Sequence, residues 1–95
     1  MDGVELRLRT LTEDEWREAL GTYLRARMQR ANVGFPELSQ RLRSAGVELD
    51  RVPLANKVNR LTFSAPFLLQ LLSALEVDDP LLRDVASCAP KDAGG

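Results

Sequence analysis

The segment Ser64-Ala-Pro-Phe-Leu-Leu-Gln-Leu-Leu-Ser-Ala-Leu75 constrains the fold more than any other stretch of the chain. Ser64 stands where an N-cap hydroxyl belongs, and Pro66 falls in the first turn, where its missing N–H is harmless. Phe63 and Leu68 occupy the two positions of a hydrophobic staple. The spacing predicts a helix on which Phe67, Leu68, Leu71, Leu72 and Leu75 form a wide apolar face of about 140°. A helix of that kind needs other elements around it, so it belongs near the centre of the fold as a packing element.

The preceding residues supply its neighbours. Thr12 and Glu15 form a capping box, Leu11 and Trp16 a second staple, and Glu13, Asp14 and Glu15 complement the positive end of a helix dipole. Trp16, Leu20, Leu24 and Met28 recur every four residues with Tyr23 and Ala31 beside them, which predicts a helix from about Glu13 to Ala31 with one buried stripe. On that stripe Trp16 and Tyr23 read as core or interface aromatics. The clustered carboxylates are structural, because no nucleophile or metal ligand lies near them in sequence.

Asn32-Val-Gly34 breaks this helix and Phe35-Pro36-Glu37 opens a short second one, with Leu38 and Leu42 facing the core and Ser39 small enough to let a neighbouring helix approach. Gly46 is a C-terminal stop, Val47 and Leu49 are apolar loop residues, and Asp50 is a candidate cap for a third helix. Glu76-Val-Asp-Asp79 ends the apolar fourth helix, and Pro80 opens a short fifth one reaching about Cys88. Residues 89–95 read as a frayed tail.

At the other end, Val4-Glu-Leu-Arg-Leu-Arg-Thr-Leu11 alternates with period two. It is either a disordered arm or a short strand that carries Val4, Leu6 and Leu8 on one side and pairs with the same segment of a second copy. The division expected is an N-terminal arm over residues 1–11, one domain over 12–88 and a flexible tail over 89–95.

Composition narrows the chemistry. No histidine and a single cysteine, Cys88, exclude a His/Cys zinc site, a Ser-His-Asp triad, a Cys-His pair and an internal disulfide, so neither a catalytic site nor a metal or cofactor is expected. The 44% hydrophobic and 28% charged fractions are those of an ordinary globular protein. No apolar run approaches the roughly 20 residues of a membrane span, and the first residues do not resemble a secretory signal. A cytoplasmic location is the default expectation.

Net charge is -1, yet its distribution is uneven. Residues 21–60 carry eight basic and three acidic side chains between two segments of net negative charge. Arg25, Arg27, Arg30, Arg41 and Arg43 are therefore either solvated helix faces or part of an electrostatic footprint for a polyanion. Within this region the third helix, over residues 51–60, places Leu54, Ala55, Val58 and Leu61 on one arc. Val52, Pro53, Asn56, Lys57, Asn59 and Arg60 fall on the other. Amide and cationic groups on an exposed helix face match the hydrogen-bonding edges of adenine and guanine, and phosphate.

Glu37-Leu-Ser-Gln-Arg-Leu42, Gly46, Ala55-Asn-Lys-Val-Asn-Arg60 and the helix start Phe63-Ser-Ala-Pro-Phe-Leu-Leu69 together resemble the lambda-repressor-like helix-turn-helix domains of the Xre/Cro type over roughly Glu13 to Val85. More narrowly, Asn56-Lys57-Val58-Asn59-Arg60 with Phe63-Ser64-Ala65 and Phe67-Leu68 is similar to a family of small bacterial proteins of this fold whose function is uncharacterised. The resemblance implies an all-α fold, a compact lambda-repressor-like domain of four to five helices, with the N-terminal strand arm as an optional addition. It implies a double-stranded DNA-binding transcriptional regulator acting as a homodimer, with residues 51–60 in the major groove. Asn56, Lys57 and Arg60 would contact base edges, and Arg41, Arg43, Arg51, Asn59, Thr62 and Ser64 would contact phosphates. The chain departs from the pattern at Pro53 and Leu54, where small polar residues are usual, at Phe35, where many relatives carry glutamine, and in a Gly46-to-Leu61 segment about three residues longer than usual. A competing expectation is a protein-interaction module, an adaptor or antitoxin-like partner, suggested by the near-neutral charge and the apolar Val52-Pro53-Leu54.

Overall fold

A computed structural model describes residues 11–90, which fold into five helices with no strand among them: α1 (Glu13–Ala31), α2 (Phe35–Ser44), α3 (Arg51–Arg60), α4 (Ala65–Ala74) and α5 (Pro80–Ala86). The N-terminal strand or arm expected over 1–11, with Val4, Leu6 and Leu8, lies outside the described residues except for its last residue, Leu11. No helix among those described is long and apolar enough to cross a membrane.

Local chemistry accounts for the helix ends. Thr12 and Glu15 exchange both bonds of the capping box, at 2.9 and 3.1 Å. Ser64 accepts from the Phe67 amide at 3.2 Å, and Asp79 accepts from the Leu81 amide at 2.8 Å to start α5. At the end of α2, Gly46 takes φ of 91° while its amide donates to the Arg43 carbonyl and the Val47 amide to the Leu42 carbonyl. That is a Schellman turn, and it needs a residue at ease in the left-handed region. Asp50 departs from expectation. It sits at the N-cap of α3 with extended backbone, but its carboxylate makes no capping bond and pairs instead with Arg43 at 3.1 Å.

The core is one cluster of Leu24, Met28, Val33, Leu38, Leu42, Leu54, Val58, Phe67, Leu71, Leu75 and Val77. α2 packs on both α3 and α4, and α5 packs on α4. The apolar α4 thus touches several partners, as its composition demands. Leu42 and Leu54 are completely enclosed, and burial of a leucine side chain contributes about 2 kcal/mol. Val33 and Val77, each just beyond a helix end, fold back into the core through amides that donate to Met28 and Leu72 carbonyls.

The expected stripe on α1 is corrected. Trp16 is 58% and Tyr23 39% exposed, and Ala31 is exposed as well; the buried residues of α1 are Gly21, Leu24 and Met28. A recurrence of four residues advances about 400°, so each step drifts about 40° around the helix. Trp16 consequently stands about 120° from Met28, at the edge of the stripe that lies away from the core. Leu20 packs against the core half-buried and Leu24 and Met28 enter it, while Trp16 stays outside.

Candidate nucleic-acid interface

α3 is divided as its sequence predicts. Leu54 and Val58 are buried, Ala55 and Leu61 are half-buried, and Val52, Pro53, Asn56, Asn59 and Arg60 are exposed. The helix is therefore clamped along one side, and its outer side carries amides and cations at fixed positions. Its hold has two anchors at the N-terminal end. The buried Ser39 hydroxyl of α2 donates to the Leu49 carbonyl, and the Schellman turn at Gly46 sets the path of the six-residue connection over 45–50.

Asn56, Lys57, Arg60 and Thr62 come together along a shallow groove of about 350 Å³, which Leu49 and Pro53 complete. Lys57 is half-buried, with its ammonium 5.4 Å from the centroid of the Phe67 ring. The aromatic face attracts the cation and limits the arc the side chain sweeps. Phe67 in turn packs against Phe63, ring centroids 5.3 Å apart. Arg60 and Arg51 are exposed and make no salt bridge among the described residues.

A second groove of about 490 Å³ runs between α2 and the start of α3, lined by Pro36, Ser39, Gln40, Arg43, Asp50, Arg51, Val52 and Pro53. It shares Pro53 with the first, so the two form a continuous surface along the outer side of α3. Arg43 belongs to it but is held by Asp50. Ser64 is exposed as the cap of α4, and Asn59 is exposed on α3; neither lines these grooves.

Arg41 is placed elsewhere. Its guanidinium donates to the Ala74 carbonyl at 2.8 Å and to Glu37 at 2.9 Å, tying α2 to the C-terminal end of α4. It lines a separate cleft with Ser44, Ala45, Gln70, Ser73, Ala74 and Glu76. The structure does not bring it together with Asn56, Lys57 and Arg60.

Gln40 is the residue that sequence reasoning missed. It stands on the α2 rim of the second groove, exposed, with Pro36 and Arg43. The spacing of 36, 40 and 43 already places these three on one helix face, so the signal was present in the helical phase. Among the described residues no three His, Cys, Asp or Glu side chains cluster in a way that could hold a metal ion, and Cys88 is exposed and unpaired.

No curated protein and no solved structure matches the chain. Residues 16–80, which run from Trp16 on α1 through both grooves to the first residue of α5, match the family model described as a domain of unknown function, DUF6471, and the chain belongs to that family.

Proposed function

We propose that this domain binds double-stranded DNA as a lambda-repressor-like transcriptional regulator, with α2 and α3 as its helix-turn-helix and α3 entering the major groove. The observation that carries the reading is the groove on α3, where Asn56, Lys57, Arg60 and Thr62 converge on a helix whose other face is locked by Leu54 and Val58. Asparagine pairs with adenine and arginine or lysine with guanine, and a rigid backing keeps such groups in register with base edges. Arg51 and the first-turn amides of α3 add positive potential at the same surface.

In this reading Asn56, Lys57 and Arg60 contact bases, and Arg43, Arg51, Asn59, Thr62 and Ser64 contact phosphates. Arg41 supports α4 and leaves the contact set, while Gln40 joins it. Two copies acting on spaced half-sites would extend the few base pairs one short helix can read. The test is duplex-DNA binding with wild type and an Asn56→Ala plus Lys57→Ala variant; loss of affinity in the folded variant supports the assignment, and unchanged binding rejects it.

A protein partner at the same surface is the second reading, favoured by Val52, 59% exposed beside the exposed Pro53. Apolar side chains at a helix start suit a hydrophobic contact better than a phosphate backbone. Capture of a partner whose binding is lost on Val52→Asp and kept on Arg60→Ala would select this reading.

A further inference from the structure

Among the described residues, one side of α1 stays exposed along its whole length. Thr12, Trp16, Ala19, Tyr23, Ala26 and Arg30 are all exposed and follow each other at spacings of four and three residues, the period of a coiled-coil seam. Gly21, Leu24 and Met28, which bind α1 to the core, lie on the other side of the helix. Large side chains, Trp16 and Tyr23, alternate along this seam with small ones, Ala19 and Ala26.

We infer that α1 pairs antiparallel with α1 of a second copy of this chain through that seam, so that Trp16 lies over Ala26 of the second copy and Tyr23 over its Ala19. Each bulky ring then fills the space beside a methyl group, the interdigitation that helix pairs require. The same register sets Glu13 opposite Arg27 of the second copy, twice by symmetry. Among the described residues Arg27 makes no salt bridge, and Glu13 pairs only with Arg17, in an exposed contact at 2.9 Å. Charge runs from acidic at Glu13, Asp14, Glu15 and Glu18 to basic at Arg25, Arg27 and Arg30, so an antiparallel pair is attractive where a parallel one repels. The surface is self-complementary, as a twofold interface must be. None of this depends on DNA binding.

Sedimentation equilibrium of the full chain measures the mass against the 10.6 kDa monomer, and Trp16, the single tryptophan, reports burial through its emission. The expected result is a dimer forming with concentration, accompanied by a blue shift of Trp16 emission. Ala26→Glu, at a position exposed in the monomer, should leave the circular dichroism spectrum unchanged and abolish the dimer. Glu13→Arg or Arg27→Glu alone turns both symmetric attractions into repulsions and should weaken self-association about tenfold. Mixing these two variants restores opposite charges at both contacts and should restore the dimer. A chain monomeric at all concentrations overturns the inference. So does a dimer untouched by Ala26→Glu, which would place the interface elsewhere, or a failure of the mixed variants to associate.

Discussion

Gly21 on α1 faces Leu61 at the end of α3 so closely that a Cβ on Gly21 would stand 2.9 Å from the Leu61 Cδ1. Leu61 is itself left-handed, φ 55°, a conformation that costs a bulky side chain about 1 kcal/mol or more. The close approach of α1 and the half-buried Leu61 side chain hold that turn in place, and with it the C-terminal end of α3. Gly21→Val should therefore destabilise the domain by about 2 kcal/mol, since steric displacement of Leu61 and Arg25 outweighs the few tenths recovered in helix propensity. Gly21→Ala, where the flexible Leu61 methyl can swing aside, should stay within about 1 kcal/mol of wild type. Urea unfolding of both variants measures the difference.

Ser39 and Leu49 give the second anchor. Ser39→Ala removes the donor from the half-buried Leu49 carbonyl, a change that costs about 1 to 2 kcal/mol and lowers the melting temperature of a domain this size by roughly 4 to 16 °C. Calorimetry reads it directly.

Two capping positions should behave differently although both are acidic or polar residues at helix starts. Ser64→Ala removes a formed cap bond and should cost about 1 kcal/mol. Asp50→Ala removes only an exposed pair with Arg43 and should cost about 0.5 kcal/mol or less. Releasing Arg43 beside Arg51 should also tighten DNA binding, measurable as a lower Kd at fixed salt.

Arg41 and Arg60 separate structure from function. Arg41→Ala should cost about 1 kcal/mol of stability through loss of its bond to Ala74 while leaving the salt dependence of DNA binding unchanged. Arg60→Ala should leave stability within about 0.5 kcal/mol, lower DNA affinity by about 1 to 3 kcal/mol and relax the sequence preference at the base it reads.

The helix limits were legible because capping chemistry is local: Thr12 with Glu15, Ser64 with Pro66, and Gly46 each act within a few residues of themselves. The division of α3 into a buried and an exposed arc followed from phase alone, since ten residues leave little room for drift. Burial on α1 did not follow, because the four-residue recurrence from Trp16 to Met28 winds around the helix and tertiary contact selects only its later part. Side-chain commitments across the fold were also hidden. Whether Arg41 stands in solvent or bonds to Ala74, thirty-three residues away, depends on how α2 meets α4, and the position of the Lys57 ammonium over Phe67 depends on how α3 meets α4.

The central claim is tested most directly by the affinity of the full chain for duplex DNA from its own genomic neighbourhood, measured across a series of salt concentrations. DNA binding through α3 predicts a Kd that weakens steeply with salt, a preference for particular sequences, and loss of both affinity and preference in the folded Asn56→Ala plus Lys57→Ala variant. Binding that is insensitive to salt, or that survives this double substitution intact, would contradict it.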